Sequence, residues 1–458
     1  MRRSSTILLA LAATTALAAP LAAQRVERPR YTYDYQRLTN GLKVVLAPDH
    51  TAPLITVAVY YHVGFRLEPR GRTGFAHLFE HLMFQGSANL GKMQFIRLVQ
   101  RNGGVLNGST RFDFTNYFEI LPAHKLETAL WAEADRMRGL DISAENLQNQ
   151  RDVVKNEVRV NVLNQPYGSF PWIDVPMAAF TNWANAHNFY GAFDDLDAAT
   201  LADVRDFFHT YYAPGNAVLV VTGDFEPREA MTWVHRYFDD IPAGPTIPVQ
   251  DVTEPRQTAE RRQSRTDALA PRPALAVAYQ VPARFTPEWF AMGLIDQILG
   301  QGNDSWLYQE LAQRRGYTGG VDAGINWGLG SMFDYQGPML WMVRLTHDAQ
   351  HPPDTILAAF DQVIERIRSA PVDAATLQRA RTKLRSSLYD LEDLNFGRAN
   401  LLASFALFDD DPGRINRLED GFDAVTPEVL QRTAQEYLRP TNRTVYTIVP
   451  GAAAGSQE

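Results

Sequence analysis

The sequence predicts an α+β protein with two tandem homologous domains, each a mainly antiparallel sheet backed by helices. Three observations support this prediction: a length of 458 residues, alternating strand-like and helix-like segments, and an internal repeat. Pro214 and Pro440 lie 226 positions apart, and each begins a Pro-x-Asn turn before an apolar run. A period this long is typical of a duplicated domain, although chance recurrence of a common turn is the alternative.

Composition excludes several classes of protein. Hydrophobic residues make up 45% and charged residues 21% of the chain, which fits neither a disordered protein nor a polytopic membrane protein. The formal charge is −8 and no long Lys/Arg run is present, so we expect no nucleic-acid partner. The chain has no cysteine, which excludes disulfides and thiolate nucleophiles. Any metal must therefore be bound by His, Asp or Glu.

Residues 1–23 are predicted to be a cleaved signal peptide. Arg2 and Arg3 precede an apolar run that ends near Leu17, and small residues follow as far as Ala23. The run is shorter than the roughly 20 residues of a membrane-spanning helix, so a membrane anchor is the weaker alternative. We expect export, most simply to a Gram-negative periplasm, and no membrane association of the mature chain.

Hydrophobic periodicity assigns the elements of the first half. Runs rich in β-branched and aromatic residues predict strands at 42–48, 55–62, 106–110 and 114–121. Helical spacing predicts helices at 73–84 and 93–101 and two more between 124 and 163, with Ser143 capping the last.

A stretch rich in proline and polar residues separates the two halves. The predicted parts are an N-terminal domain at 30–240, a linker at 241–272, a homologous C-terminal domain at 273–450 and a flexible tail at 451–458. The apolar run at 275–281 is expected to correspond to the strand at 55–62, which supports the duplication.

The motif His77-Leu-Phe-Glu80-His81 lies on the first predicted helix. Positions i and i+4 share one face of a helix, so both imidazoles can bind one ion. The order H-x-x-E-H is the inverse of the zinc peptidase motif H-E-x-x-H. Such a site needs a third protein ligand, a position for water, and a carboxylate that accepts the proton of the water. The alternative is a helix on which two histidines merely share a face.

At this motif the chain resembles the pitrilysin-type inverted zinc peptidases, the family of mitochondrial processing peptidase and insulin-degrading enzyme. The resemblance extends over nearly all of the chain after the leader. In that family a glutamate about 75 residues after the second histidine is the third zinc ligand, and Glu157 stands 76 positions after His81. The family usually has a supporting glutamate seven residues before this ligand, where this chain has Gln150.

The stretch Gly103-Gly-Val-Leu-Asn107 also resembles the family. There the corresponding asparagine lies on an edge strand, to which an extended substrate adds by backbone pairing. The resemblance therefore implies that Asn107 positions the substrate, and a turn-forming asparagine is the alternative.

The second half has no H-x-x-E-H motif, as the family resemblance implies. Many family members carry an Arg and a Tyr there that hold the substrate, where this chain has Ala312 and Gly319. Tyr317 is expected to share a strand face with position 319 at a distance of about 7 Å, and whether it replaces the missing tyrosine stays open. The resemblance implies a sister chain that supplies the pair in a heterodimer, with a homodimer as the alternative.

The sequence as a whole predicts a zinc metalloendopeptidase for short or unstructured peptides. His77, His81 and Glu157 are expected to bind Zn²⁺, with Glu80 as the general base. Two such chains would form a closed chamber, of which each chain is one half. The alternatives are a non-catalytic scaffold or peptide-binding subunit of the same fold, and a periplasmic chaperone or peptide carrier that uses zinc structurally. The sequence gives neither the cleavage preference nor the physiological substrate.

Overall fold

The computed structural model describes Arg28, Arg30 and residues 31–451. The predicted signal peptide lies outside the described residues, and so does the predicted tail beyond Gly451. Within the described part of the chain, no helix is long and apolar enough to cross a membrane.

The first sheet has six strands. They are β1 (Asp34–Arg37), β2 (Lys43–Pro48), β3 (Leu54–Tyr61), β4 (Val105–Thr110), β5 (Thr115–Pro122) and β6 (Ala217–Gly223). Their order is β1-β2-β6-β3-β5-β4, and every pair is antiparallel except β2 with β6. Strand β4 therefore lies at an edge of this sheet.

Nine α-helices accompany this sheet in the described residues. They are α1 (Phe75–Leu82), α2 (Gln94–Arg101), α3 (Leu126–Arg138), α4 (Ala144–Val158), α5 (Asp174–Ala179), α6 (Trp183–Ala186), α7 (Phe193–Ala198), α8 (Leu201–Tyr211) and α9 (Pro227–Phe238). A π-helical segment, Arg159–Leu163, continues α4. The Ser143 hydroxyl accepts the Asn146 N–H at the start of α4, as the sequence predicts.

The second sheet has five strands. They are β7 (Arg261–Asp267), β8 (Ala274–Gln280), β9 (Asp322–Ile325), β10 (Leu340–Thr346) and β11 (Arg443–Pro450), in the order β7-β11-β8-β10-β9. Only β7 and β11 pair in parallel. The helices are α10 (Pro287–Leu299), α11 (Pro353–Ser369), α12 (Ala374–Asp393), α13 (Asn395–Asp409), α14 (Leu418–Asp423) and α15 (Pro427–Tyr437).

The internal repeat appears in the backbone. Helices α8 and α15 start and end 226 residues apart, and Thr200 and Thr426 cap them through the same backbone contact. After each helix, Asn216 or Asn442 donates from Nδ2 to the carbonyl of the last helical residue, at 2.9 and 2.8 Å. Two sheets with this shared ending, each backed by helices, confirm the predicted fold class.

The predicted linker contains an unexpected strand. Residues 241–260 have no helix or strand, but Arg261–Asp267 form β7 at the edge of the second sheet. This strand is mostly polar and exposed, so its composition resembles that of a linker. Its backbone pairing with β11 fixes its structure, and apolar alternation could not have revealed it. The domain bounds stay a prediction.

Each half covers the free face of the other half's sheet. Helix α13 packs on β3 and β6, and Tyr60 donates to Asn400 of that helix at 2.7 Å. Helix α5 packs in turn on β8 and β11 of the second sheet. Both faces of the central strands are thus buried, which explains why β3 and β6 are continuous apolar runs. This packing fixes the two halves around the candidate site.

Candidate metal centre

Helix α1 presents the H-x-x-E-H side chains because its other face is anchored in the core. Phe75, Phe79 and Leu82 are buried against the first sheet and its helices. At the start of the helix, the buried Glu68 carboxylate accepts the backbone N–H groups of Gly74 at 2.8 Å and Ala76 at 2.7 Å. An anion at a helix N-terminus satisfies free N–H groups and complements the helix dipole. The buried face and the anchored start of α1 together fix the orientation of the motif.

The structure brings three predicted ligands together. Nε2 of His81 lies 3.2 Å from Oε2 of Glu157, and Nε2 of His77 lies 3.7 Å from Oε1 of the same carboxylate. One ligand atom from each residue lies within 4.8 Å of the other two, and no other group of three such side chains was found in the described residues. Glu157 reaches the histidines from the last turn of α4, which packs against α1.

These residues fit a zinc ion. Zinc sites in proteins use two or three His and a carboxylate at about 2.0–2.2 Å, which places tetrahedral ligand atoms roughly 3.3 Å apart. The separations of 3.2 and 3.7 Å match that spacing. The donor set leaves one coordination position for a water molecule, as a hydrolytic site requires.

The protonation states also suit a metal site. Burial, helped by the neighbouring His81, lowers the pKa of His77 to about 4, although Glu157 opposes the shift. Burial alone would raise the pKa of Glu157, but its hydrogen bond with His81 and the charges of both histidines bring it below the ordinary value. Near neutral pH, His77 is thus neutral and Glu157 is ionised, as metal ligands must be.

Glu80 lies beside the three ligands and contacts the edge strand. The Thr110 hydroxyl donates to its Oε2 at 2.8 Å. A Cβ at Gly108 would lie 3.2 Å from Cγ of Glu80, so β4 approaches the helix closely because this position has no side chain. Burial raises the pKa of Glu80, while the hydrogen bond from Thr110 opposes the rise.

Two other predicted residues lie farther from the centre. Asn107 is exposed on the edge strand β4, where it pairs in register with Phe118. Strand alternation places it on the opposite face from Thr110, which contacts Glu80. Gln150 is buried two turns before Glu157 on α4, and it donates to Asn149 at 2.7 Å. No hydrogen bond joins Gln150 to His77, His81 or Glu157 in the described structure.

Sequence reasoning missed two residues of the site. The Tyr190 hydroxyl donates to Oε1 of Glu157 at 3.2 Å, and its ring lies edge-on to His77 at 4.9 Å. Thr110 holds Glu80, as described above. The alternation of Gly108 and Thr110 along a predicted edge strand could have indicated Thr110. No local pattern indicates Tyr190, because it reaches the site from a loop between α6 and α7.

A cavity of about 490 Å³ adjoins the centre. Both halves of the chain line it: His77, Glu80 and Glu157 from the first half face Trp327 and Arg344 from the second. The cavity therefore places candidate catalytic groups opposite residues that lie more than 150 positions later in the chain.

The segment that corresponds to the Arg/Tyr pair of the family has a different structure from the one predicted. Ala312 lies in a π-helical segment, Tyr308–Arg314, and residues 317–321 are irregular. The expectation that Tyr317 shares a strand face with position 319 was therefore wrong, because β9 begins only at Asp322. The Tyr317 ring instead packs against His351 at 4.8 Å.

Comparison with known proteins decides the family. Residues 43–169 match the family described as Insulinase (Peptidase family M16), and residues 198–384 match the description Peptidase M16 inactive domain. The chain belongs to peptidase family M16. Over 421 residues, this M16 chain is 26% identical to Zinc protease PqqE of Helicobacter pylori, covering 90% of this chain and 92% of PqqE.

A second relative of this M16 chain is the probable mitochondrial-processing peptidase subunit beta of Arabidopsis thaliana. It is 24% identical over 267 residues, which cover 58% of this chain and 50% of that protein. The crystal structure of a protease from Helicobacter pylori matches with a TM-score of 0.85 at 25% identity, covering 92% of this chain and 100% of that one. These matches confirm the family and the fold class and identify a metallopeptidase family.

Proposed function

We propose that this M16 chain is a zinc-dependent endopeptidase that hydrolyses short or unstructured peptides. The observation that carries this proposal is the convergence of His77, His81 and Glu157, with Glu80 beside them, at one cavity. The relative named Zinc protease PqqE supports it. In this proposal the three converging residues bind the ion, and Glu80 is the catalytic residue.

The proposed mechanism assigns a role to each side chain. Bound zinc supplies Lewis acidity, which makes a water molecule acidic enough to attack near neutral pH. Glu80 accepts the proton of the attacking water and then delivers it to the departing amine. Thr110 holds the Glu80 carboxylate in place, and Tyr190 orients Glu157 through its hydroxyl. Burial of His77 keeps its imidazole neutral and free to bind metal.

We propose that the substrate adds to the edge strand β4. This strand has a neighbour on one side only, so its outer N–H and C=O groups are available for backbone pairing. Asn107 is exposed on this strand and is the candidate that hydrogen-bonds the substrate backbone. Backbone pairing demands an extended peptide, which favours unstructured substrates. For Gln150, a supporting role near the metal stays a prediction.

We also propose that the chain works with a sister chain of the same fold. The second half lacks the Arg/Tyr pair of the family, since Ala312 and Gly319 stand at those positions. The space beside Gly319 is open, because a Cβ there would meet no atom within 4 Å. The relative named a subunit beta supports pairing. Affinity purification of the tagged chain from its source cell would test this. We expect to recover a second M16 chain. Recovery of this chain alone would contradict the heterodimer and favour the homodimer.

The proposed site of action is the periplasm, reached through the signal peptide at residues 1–23. The predicted periplasmic location rests on the signal peptide, so fractionation of the source cell tests it directly. We expect the chain in the periplasmic fraction with a new N-terminus near Gln24. A full-length chain in the cytoplasm would contradict this proposal.

A rival proposal is a non-catalytic scaffold or peptide-binding subunit. The match of residues 198–384 to an inactive domain favours it. The first half argues against this rival, because the three candidate ligands and the candidate base are all present there.

Zinc content and hydrolysis together distinguish the two proposals. We expect about one zinc per wild-type chain by elemental analysis, and loss of zinc in His77→Ala, His81→Ala and Glu157→Ala. His209→Ala is the matched control, since this exposed histidine lies on α8. Zinc that stays bound in all three ligand variants would contradict the assignment. A chain that binds zinc but cleaves no peptide with its partner would support the scaffold.

A further inference from the structure

Two arginines face the cavity beside the candidate metal centre. Arg111 follows the edge strand β4 in the first half, and Arg344 lies on β10 of the second half. Both line the cavity together with Glu80 and Glu157. The charge of Arg111 acts on Glu80 and opposes the rise of its pKa, but the mechanism proposed above gives neither arginine a contact with the substrate.

Neither guanidinium is fully engaged by the protein. Nε of Arg344 lies 3.7 Å from Oδ2 of Asp322, beyond hydrogen-bond distance, and the Asp322 side chain is 60% exposed. The Arg344 guanidinium lies over the Trp327 ring at 5.3 Å, which leaves its N–H groups free. Arg111 donates only from Nη1 to its neighbour's carbonyl, that of Thr110, at 3.1 Å, and has no ion pair among the described residues. Both arginines therefore offer unused donors to the cavity.

Aromatic side chains form much of the remaining wall. Phe170, Trp172 and Phe189 from the first half face Trp327 from the second across the same space. These rings offer a contact surface for a bulky apolar side chain beside the two arginines. Guanidinium groups match carboxylates with two parallel hydrogen bonds, so the cavity combines an anion site with a site for a bulky apolar group.

We infer that Arg111 and Arg344 bind a carboxylate of the substrate, and that preferred peptides carry this carboxylate close to a bulky apolar side chain. The carboxylate is either an acidic side chain or the free C-terminus of the peptide, since the two share one chemistry. This inference rests on the proposed function and adds a substrate class to it. Arg344 also gives the second half a direct role in substrate selection.

Peptide binding to a non-cleaving variant tests the inference. Glu80→Gln protein is titrated with dye-labelled amidated peptides that contain one Phe and, at successive positions around it, either Glu or Gln. We expect the best Glu peptide to bind about tenfold more tightly than its Gln partner, as charge-assisted hydrogen bonds predict. A Gln peptide with a free C-terminus near the Phe distinguishes the two sources of the carboxylate, because it binds tightly only if the site accepts the C-terminal carboxylate. Titrations are repeated without zinc, because a carboxylate can also bind the metal.

Arginine variants assign the preference to its residues. Arg344→Gln and Arg111→Gln, each added to Glu80→Gln, are expected to remove most of the preference for the carboxylate peptide. Arg344→Lys keeps the positive charge but lacks the planar guanidinium that makes two parallel hydrogen bonds, so this variant should retain part of the preference. Arg236→Gln is the matched control, because this exposed arginine lies on α9 with Glu127 as its partner. Circular dichroism checks that each variant is folded.

The outcomes separate this inference from the proposed function. Equal affinity for Glu and Gln peptides, or a preference that persists in both arginine variants, would overturn the inference even if wild-type protein cleaves peptides. A preference that disappears with Arg344 or Arg111 and survives in Arg236→Gln supports it. Selective binding without any cleavage by wild-type protein would contradict the proposed function and leave the carboxylate site standing. A preference seen only with zinc would assign the carboxylate to the metal and overturn the role of the arginines.

Discussion

The Thr110 hydroxyl donates a 2.8 Å hydrogen bond to Oε2 of Glu80. This bond links the edge strand that would receive the substrate to the base that would act on it. Gly108, two residues earlier on the same strand, lies close to Cγ of Glu80 because it has no side chain. In the proposed function, these two contacts couple substrate binding on β4 to the position of the base.

Thr110→Val should slow the reaction without loss of metal. The variant keeps the shape of the side chain but leaves the Glu80 carboxylate without its donor, so we expect kcat to fall about tenfold. KM should change little, and elemental analysis should still find zinc. Thr110→Ser, which keeps the hydroxyl, is the control and should restore most of the rate. Full activity in Thr110→Val would show that Glu80 needs no such support.

Glu68 should contribute strongly to the stability of helix α1. Its carboxylate binds two backbone N–H groups at the helix start and contacts Nε2 of His187 at 3.4 Å, all in a buried position. We expect Glu68→Gln to lower the free energy of unfolding by about 2 kcal/mol, measured by urea denaturation. Glu229→Gln, in the exposed first turn of α9, should change it by less than about 0.5 kcal/mol. Similar effects of both variants would refute the anchoring role.

A buried ion pair of the first half contacts the backbone of the second half. Nη1 of Arg66 lies 3.0 Å from both carboxylate oxygens of Asp113, and Asp113 accepts the backbone N–H of Gln336 in the second half at 2.7 Å. Asp113→Ala leaves a buried guanidinium unpaired and should cost about 3–5 kcal/mol of unfolding free energy. Adding Arg66→Met should cost much less than the two single changes together.

The exposed pair between Arg236 and Glu127 is the control for that experiment. Glu127→Ala should cost less than about 1 kcal/mol, because water and salt screen the exposed charges. Additive effects at Arg66 and Asp113 would show that the two side chains contribute no coupling energy to each other.

The convergence of the three candidate ligands could be predicted because these residues follow a local rule and a fixed separation. His77 and His81 share a helix face by periodicity, and Glu157 followed from the family resemblance; the structure brings all three together. Strand β7 escaped prediction because its stability comes from pairing with β11, not from its own residues. The positions of Tyr190 and Arg344 beside the candidate site arise from tertiary packing across loops and halves, which no local pattern encodes.

Asp296 should make the stability of the second half depend on pH. It is buried and accepts hydrogen bonds from Trp341 at 2.7 Å and Gln301 at 3.0 Å; burial raises its pKa to about 6, although these bonds oppose the rise. Because its pKa is higher in the folded protein than in the unfolded chain, the folded state binds an extra proton between about pH 6 and pH 4. Through this group, stability is gained as pH falls through that window and lost as pH rises.

Asp296→Asn removes this proton uptake. We expect the difference in unfolding free energy between pH 7 and pH 5 to change by about 1.3 kcal/mol relative to wild type, with intrinsic tryptophan fluorescence following the transition. Asp194→Asn, the same substitution at an exposed position on α7 of the first half, is the matched control and should leave the pH dependence nearly unchanged. An identical pH dependence in wild type and Asp296→Asn would refute the assignment.

The most direct test of the central claim compares wild-type and Glu80→Gln protein, each tagged and recovered from the source cell with any partner that co-purifies. The measurement is the initial rate of cleavage of an internally quenched, unstructured peptide, with zinc determined on the same samples. We predict that the wild-type sample cleaves the peptide and that Glu80→Gln keeps one zinc per chain but loses cleavage. Equal cleavage by both samples would contradict the role of Glu80, and zinc-loaded wild-type protein that cleaves nothing would contradict the peptidase function.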